Sequence, residues 1–92
     1  MFYLVSFDIT DDRIRYRVVK VLKSYGYRVQ KSVFECPGLT EEQFLKMRAS
    51  IEKLIDHLDD SVRYYYLNRS CLEKFEFDGF GEKPQTQSFQ VV

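Results

Sequence analysis

Asp8 closes the apolar run Phe2 to Phe7 and is followed closely by a segment rich in Arg and Lys. A carboxylate directly after a hydrophobic strand projects from the end of a sheet, where a hard cation such as magnesium can bind. Magnesium keeps several waters and takes one or two carboxylates plus phosphate oxygens. One Asp8 is too few to hold the ion alone, so a twofold axis near it would have to supply the second carboxylate. An ion held in this way would activate water against a phosphodiester and stabilise the developing charge. The same spacing equally supports a turn or helix-capping residue, as for Asp11 and Asp12.

The cations beside Asp8 are strongly grouped. Arg13, Arg15, Arg17, Lys20, Lys23, Arg28 and Lys31 occupy one window that contains no acidic residue, while the chain from Ser32 onward carries 7 basic and 11 acidic side chains. A helical projection puts Arg13, Arg17 and Lys20 in one stripe. Such a stripe is either a solvated helix surface or an electrostatic footprint for a phosphate backbone. Other chemistry has little support. Cys36 and Cys71 are far apart and form no C-x-x-C pair, so both read as buried structural thiols. The one histidine, His57, falls late in an amphipathic segment and reads as a helix-surface or C-terminal-turn residue, which leaves a nucleophilic Cys or Ser without a base. No glycine-rich phosphate loop is present.

The elements that must position these groups follow from periodicity. Phe2 to Phe7 is apolar on both alternating faces and suits a central strand. Thr10, Asp11 or Asp12 can cap a helix whose apolar face is Ile14, Val18, Val21, Leu22 and Tyr25, with Gly26 as its stop. Val29 to Cys36 reads as a second strand. Thr40 and Gln43 form a capping box opening a second helix, with Phe44, Met47, Ile51, Leu54, Ile55 and Leu58 as its buried stripe. Val62 to Leu67 reads as a third strand, Phe75 to Phe77 begins a fourth, and Thr86 to Val92 is competent to add a last one. The expected fold is α+β, a ferredoxin-like β-α-β-β-α-β sandwich with an additional C-terminal strand. Two helices cover only one sheet face. The other, rich in aromatics, predicts a homodimer joined through the sheet faces, with the 80–92 tail exchanged onto the partner.

Composition narrows the class. The 92 residues make one domain, 1–92, and 45% apolar with 30% charged residues is globular composition. With 14 basic and 14 acidic side chains, a histone-like polycation and an acidic tail are both excluded. The start of the chain lacks a basic n-region, and no apolar run approaches the ~20 residues of a spanning helix, so the expected location is the cytoplasm, with no membrane partner.

The assembled pattern resembles family two of the CRISPR-associated proteins, the small partner of the CRISPR integrase in spacer acquisition. The features carrying the resemblance are Phe7-Asp8-Ile9-Thr10-Asp11-Asp12, Arg15-Tyr16-Arg17, Tyr25-Gly26-Tyr27-Arg28-Val29-Gln30, Ser32-Val33-Phe34-Glu35-Cys36, the Val62 to Leu67 strand and Gly81-Glu82-Lys83-Pro84. They span essentially the whole chain. The resemblance implies a ferredoxin-like homodimer and a metal-dependent phosphodiesterase, using magnesium or manganese, whose members cut single-stranded RNA, double-stranded DNA or neither. It also implies a structural role, bridging integrase dimers and holding the DNA to be inserted. By position, Asp8 corresponds to the metal-binding catalytic carboxylate. Arg15, Arg17, Arg28 and Phe34 fall at positions tied to nuclease activity or substrate contact. Phe7 stands where relatives often carry Tyr, so a hydroxyl is missing here.

Two functions follow as expectations. One is a magnesium-dependent endonuclease with Asp8 paired across the dimer. Arg13, Arg15, Arg17, Lys20, Arg28 and Lys31 would bind nucleic acid, supported by Phe7 and Phe34. The other is a non-catalytic dimeric scaffold that clamps DNA and docks the integrase.

Overall fold

The computed structural model describes residues 1–81 and 84. The first strand, β1 (Phe2–Asp8), leads into helix α1 (Asp12–Lys23). Asp11 is the helix cap, its carboxylate accepting the N–H groups of Arg13 at 2.8 Å and Ile14 at 3.1 Å. Those two bonds, the Ile14 one foremost, hold the Asp11 carboxyl below its ordinary range. Ser24 caps the far end, with right-handed φ −77° and ψ −11°. Gly26 therefore is not a left-handed stop. Its role is close approach: a Cβ there would lie 2.1 Å from the Glu35 carbonyl oxygen and 2.8 Å from the Cys36 Cα.

The expected single strand from Val29 to Cys36 is two strands, β2 (Tyr27–Gln30) and β3 (Val33–Cys36), joined by a tight turn at Lys31 and Ser32. The register slips between Arg28 and Gln30, and the Arg28 guanidinium closes the hairpin on the Lys31 carbonyl at 3.0 Å and 2.6 Å. The polar run Gln30-Lys31-Ser32 marks this turn between the strand residues Val29 and Val33. The helix α2 (Glu41–Leu54) opens with the expected capping box. Thr40 Oγ1 accepts the Gln43 N–H at 3.1 Å, and Gln43 Oε1 accepts the Thr40 N–H at 2.9 Å. At Ile55 the backbone turns extended (ψ 155°), so Leu58 leaves the helical stripe and is 95% exposed, not buried. His57 lies in the turn after the helix, its Nε2 3.2 Å from the Glu52 carbonyl.

The last strand, β4 (Ser61–Leu67), precedes a short helix, α3 (Arg69–Glu73). Phe75 to Phe77 is not a strand: its aromatic–acidic alternation finds no sheet partner among the described residues. The fourth strand of the ferredoxin-like sheet comes from the hairpin instead. The order is β2-β3-β1-β4, with β1 internal and every pairing antiparallel. The expected Thr86 to Val92 strand lies outside the described residues. Cys36 is buried as expected, whereas Cys71 is exposed, because the five-residue α3 buries none of its side chains fully.

One core joins sheet and helices. Val5 and Phe7 of β1 and Phe34 and Cys36 of β3 meet Val18 and Leu22 of α1 and Met47 and Ile51 of α2. Tyr3 extends it, stacked on Phe44 at 4.0 Å between ring centroids. Since β1 alternates, Leu4, Ser6 and Asp8 point to the opposite sheet face. That face carries a groove of about 870 Å³, lined by Leu4, Tyr27, Val33 and Tyr65 of the sheet together with Phe75, Phe77 and Phe80.

Candidate metal and nucleic-acid site

Asp8 ends β1, paired in register with Ser61, the first residue of β4. It is exposed, and its carboxylate accepts no hydrogen bond among the described residues. Both features leave its oxygens open to an ion. Among the described residues no three His, Cys, Asp or Glu side chains form a metal-binding group. The donor set of one protomer is thus a single carboxylate, which suits magnesium only when phosphate oxygens or a second carboxylate join it.

Antiparallel pairing decides what shares this end of the sheet. Ser6 pairs with Val33, and the Phe7 N–H donates to the Ser32 carbonyl at 3.0 Å, so the β2–β3 turn bearing Lys31 lies beside the end of β1. The first turn of α1, with Arg13 and Arg15, follows three residues after Asp8. Asp8, Arg13, Arg15, Arg28 and Lys31 are therefore grouped at one end. Arg17 and Lys20 continue along the exposed face of α1, at 1.5 Å rise per residue.

The six expected phosphate-binding cations fall into two kinds. Arg15 is half-buried and committed: its Nη1 donates to the Ile9 carbonyl at 2.7 Å, and its Nη2 pairs with Asp12. Arg28 is committed to the Lys31 carbonyl and lies 6.0 Å from the Phe34 ring centroid. Arg13, Arg17 and Lys31 are exposed and make no ion pair among the described residues. Lys20 Nζ sits 5.7 Å from the Tyr16 ring centroid, a weak restraint on an otherwise solvated amine. The arrangement leaves four of these cations without a backbone commitment and uses two to brace backbone.

The two supporting aromatics are interior. Phe7 is 4% and Phe34 0% exposed, with ring centroids 6.3 Å apart. Neither ring offers a face to a base. They pack β1 and β3 into the core. On β4, Tyr64 meets Phe44 edge-on at 5.5 Å, and burial pushes its phenol up to about 12. Tyr65 and Tyr66 are exposed.

Two further groups were not singled out from sequence. Asp60 accepts the Thr10 N–H at 3.3 Å, joining the loop before β4 to the loop after Asp8. The signal available was weak, a carboxylate directly before a strand. Glu35 sits on the open sheet face, in register with Leu4 and with Tyr27, and burial raises its carboxyl above the ordinary range.

Comparison with known proteins agrees with this geometry. The chain matches the family described as CRISPR associated protein Cas2 over residues 1–75. It is 42% identical over 87 residues to the CRISPR-associated endoribonuclease Cas2 1 of Chloroflexus aurantiacus, covering 94% of this chain and 92% of that protein. It is 38% identical over 90 residues to the CRISPR-associated endonuclease Cas2 2 of Thermus thermophilus, covering 98% of this chain and 94% of that protein. The crystal structure of Streptococcus pyogenes Cas2 superposes with a TM-score of 0.76 at 32% identity, covering 86% of this chain and 100% of that one. A chain of a partial Cas6-RT-Cas1–Cas2 complex superposes with a TM-score of 0.72 at 29% identity, covering 83% and 88%.

Proposed function

This chain belongs to the CRISPR-associated Cas2 family, and on that premise we propose that it is a nucleic-acid-binding dimer of spacer acquisition with metal-dependent endonuclease activity. The observation that carries the reading is Asp8, exposed at the strand end on the sheet face that no helix covers, with Arg13 and Lys31 at the same end. Two such faces joined by a twofold axis would bury the aromatic groove. They would also bring Asp8 of each protomer toward the other.

Asp8 from both protomers would hold magnesium, or manganese in its place. When bound, the ion supplies an activated water and neutralises charge on the phosphodiester. The rest is done by this chain's own residues. Arg13, Arg17, Lys20 and Lys31 bind phosphates along α1 and the hairpin turn. Arg15 and Arg28 keep the two loops beside Asp8 in shape. Phe7 and Phe34 fix the strands from below and exclude water from the core side. The names of the relatives, endoribonuclease and endonuclease, support RNA or DNA as the substrate. Such work is cytoplasmic, and no helix of the described residues is long and apolar enough to cross a membrane.

A second reading rests on the Cas1–Cas2 assembly among the structural neighbours. In that reading the dimer bridges integrase dimers and holds the DNA to be inserted, and Asp8 does no chemistry.

One experiment separates the two. Wild type and Asp8→Asn are incubated with end-labelled single-stranded RNA and double-stranded DNA, with magnesium and with chelator, and the oligomeric state is measured in parallel. Cleavage that needs both magnesium and Asp8 supports the nuclease. A folded Asp8→Asn dimer that cuts as fast as wild type refutes it. Salt-sensitive duplex binding without cleavage by either protein moves the assignment to the scaffold.

A further inference from the structure

The β1–β4 ladder runs as far as Asp8 and Ser61 and stops there. Ile9 turns into the core at 4% exposure, so the next N–H, that of Thr10, has lost its strand partner. A side chain takes over. Asp60 Oδ1 accepts the Thr10 N–H at 3.3 Å, across 50 residues of sequence. That bond is long, but its acceptor is not free to wander. Asp60 Oδ2 accepts the Asp56 N–H at 2.9 Å, and the Asp60 N–H donates to the Asp56 carbonyl at 2.8 Å. Arg15 holds the other side of the same peptide group, donating to the Ile9 carbonyl at 2.7 Å. The two residues after Asp8 are thus each tied to a charged side chain, Ile9 through its C=O and Thr10 through its N–H.

We propose that Asp60 is a positioning residue for Asp8: its carboxylate prolongs the β1–β4 pairing by one rung and fixes the direction in which the Asp8 side chain leaves the sheet. The inference rests on Asp8 as the metal-binding carboxylate. An ion shared between two protomers is sensitive to small errors in each ligand, since a reacting constellation must be held within about 0.5 Å. A displacement of about 1 Å costs on the order of 100-fold in rate. Asp56 provides the control. Its carboxylate accepts only the Leu58 N–H, at 2.9 Å, and does not reach β1. Damage to the loop alone would therefore be reproduced by Asp56→Ala, whereas loss of the reach to Thr10 would not.

The test uses the full ¹⁵N-labelled chain as wild type, Asp60→Ala, Asp60→Asn and Asp56→Ala. Three quantities are read: solvent exchange of the Thr10 amide, paramagnetic broadening of the amides around Asp8 by manganese alone, and kcat and KM for magnesium-dependent cleavage. Asp60→Ala is expected to abolish Thr10 protection and to raise the manganese concentration for half-broadening. It should also lower kcat about tenfold or more with KM unchanged. Asp60→Asn keeps one acceptor oxygen and should recover part of each, and Asp56→Ala should match wild type. The proposal is overturned if Asp60→Ala keeps Thr10 protection and manganese affinity, if Asp56→Ala reproduces its defects, or if the loss falls on KM alone. A wild type that cuts nothing and binds manganese away from Asp8 defeats the metal-nuclease reading instead. The Thr10 exchange then decides by itself whether Asp60 holds the loop.

Discussion

Phe34 sits at a position tied to substrate contact by family resemblance, yet its ring is fully buried, which leads to an opposite expectation for its replacement. Phe34→Ala removes a ring packed in the central core against Phe7, with the Arg28 guanidinium above it. Truncations of this kind cost about 3–5 kcal/mol. A 92-residue domain has roughly 5–14 kcal/mol in total, so the variant loses a large part of its stability. Its nucleic-acid binding should then disappear together with its fold. Phe34→Leu separates the alternatives. An apolar replacement of similar size costs less than about 1.5 kcal/mol, so that variant stays folded. If Phe34 only packs, Phe34→Leu binds single-stranded RNA and duplex DNA within about twofold of wild type. If it stacked on a base, the lost aromatic face would cost about 1–3 kcal/mol per base, or roughly 5-fold to 150-fold in affinity. Urea unfolding and fluorescence anisotropy on the same preparations give both numbers. A Phe34→Leu protein with near-wild-type stability but affinity reduced tenfold or more would refute the packing argument.

Gly26→Ala should fail to fold stably, since the new Cβ would meet main-chain atoms of Glu35 and Cys36 that cannot rotate away; thermal unfolding checks it, and a Tm within about 2 °C of wild type would contradict it. Glu35, raised by burial, binds its proton more tightly folded than unfolded, so its contribution favours the fold at low pH. That contribution is lost as pH rises from the ordinary carboxylate value through the raised one. Glu35→Gln should therefore stabilise the protein at pH 7, by less than about 1 kcal/mol after solvent screening, and flatten the fall in Tm between acid and neutral pH. Arg17→Ala should reduce the slope of log affinity against log salt by about 1 and leave Tm unchanged. Arg28→Ala should lower Tm, because its donors close the hairpin; the same titrations and melts test both.

Much of the architecture was legible from local pattern. The β1 run, the Asp11 cap, the Thr40–Gln43 capping box and the Met47–Ile51 stripe each depend on residues a few positions apart, so periodicity and capping chemistry reach them. The errors arose where a pattern outlasts its element. Strand-forming residues stand on both sides of the polar Gln30-Lys31-Ser32 run, so one strand was expected where a hairpin forms. The helical stripe continues on paper to Leu58, although the chain turns extended at Ile55. Phe75 to Phe77 alternates like a strand but has no ladder to join among the described residues. Cys71 is apolar enough for a core, yet a one-turn helix gives it nothing to be buried under.

For the site, composition and order were enough to single out Asp8 and the acid-free basic window. They also implied an uncovered sheet face, because two helices cannot cover both sides. The division of labour among the cations was not accessible that way. A guanidinium has the same five donors whether it meets a phosphate or a carbonyl, and only the folded chain brings Ile9 to Arg15 and Lys31 to Arg28. The placement of the hairpin turn beside Asp8 depends on antiparallel register, which long-range pairing sets. The Asp60–Thr10 bond spans 50 residues and leaves no periodic trace. Sequence determined which groups could do chemistry, since that is a property of side chains and local spacing. Tertiary structure decided which of them remain free to do it, since a hydrogen-bond donor committed to the backbone cannot also serve a ligand.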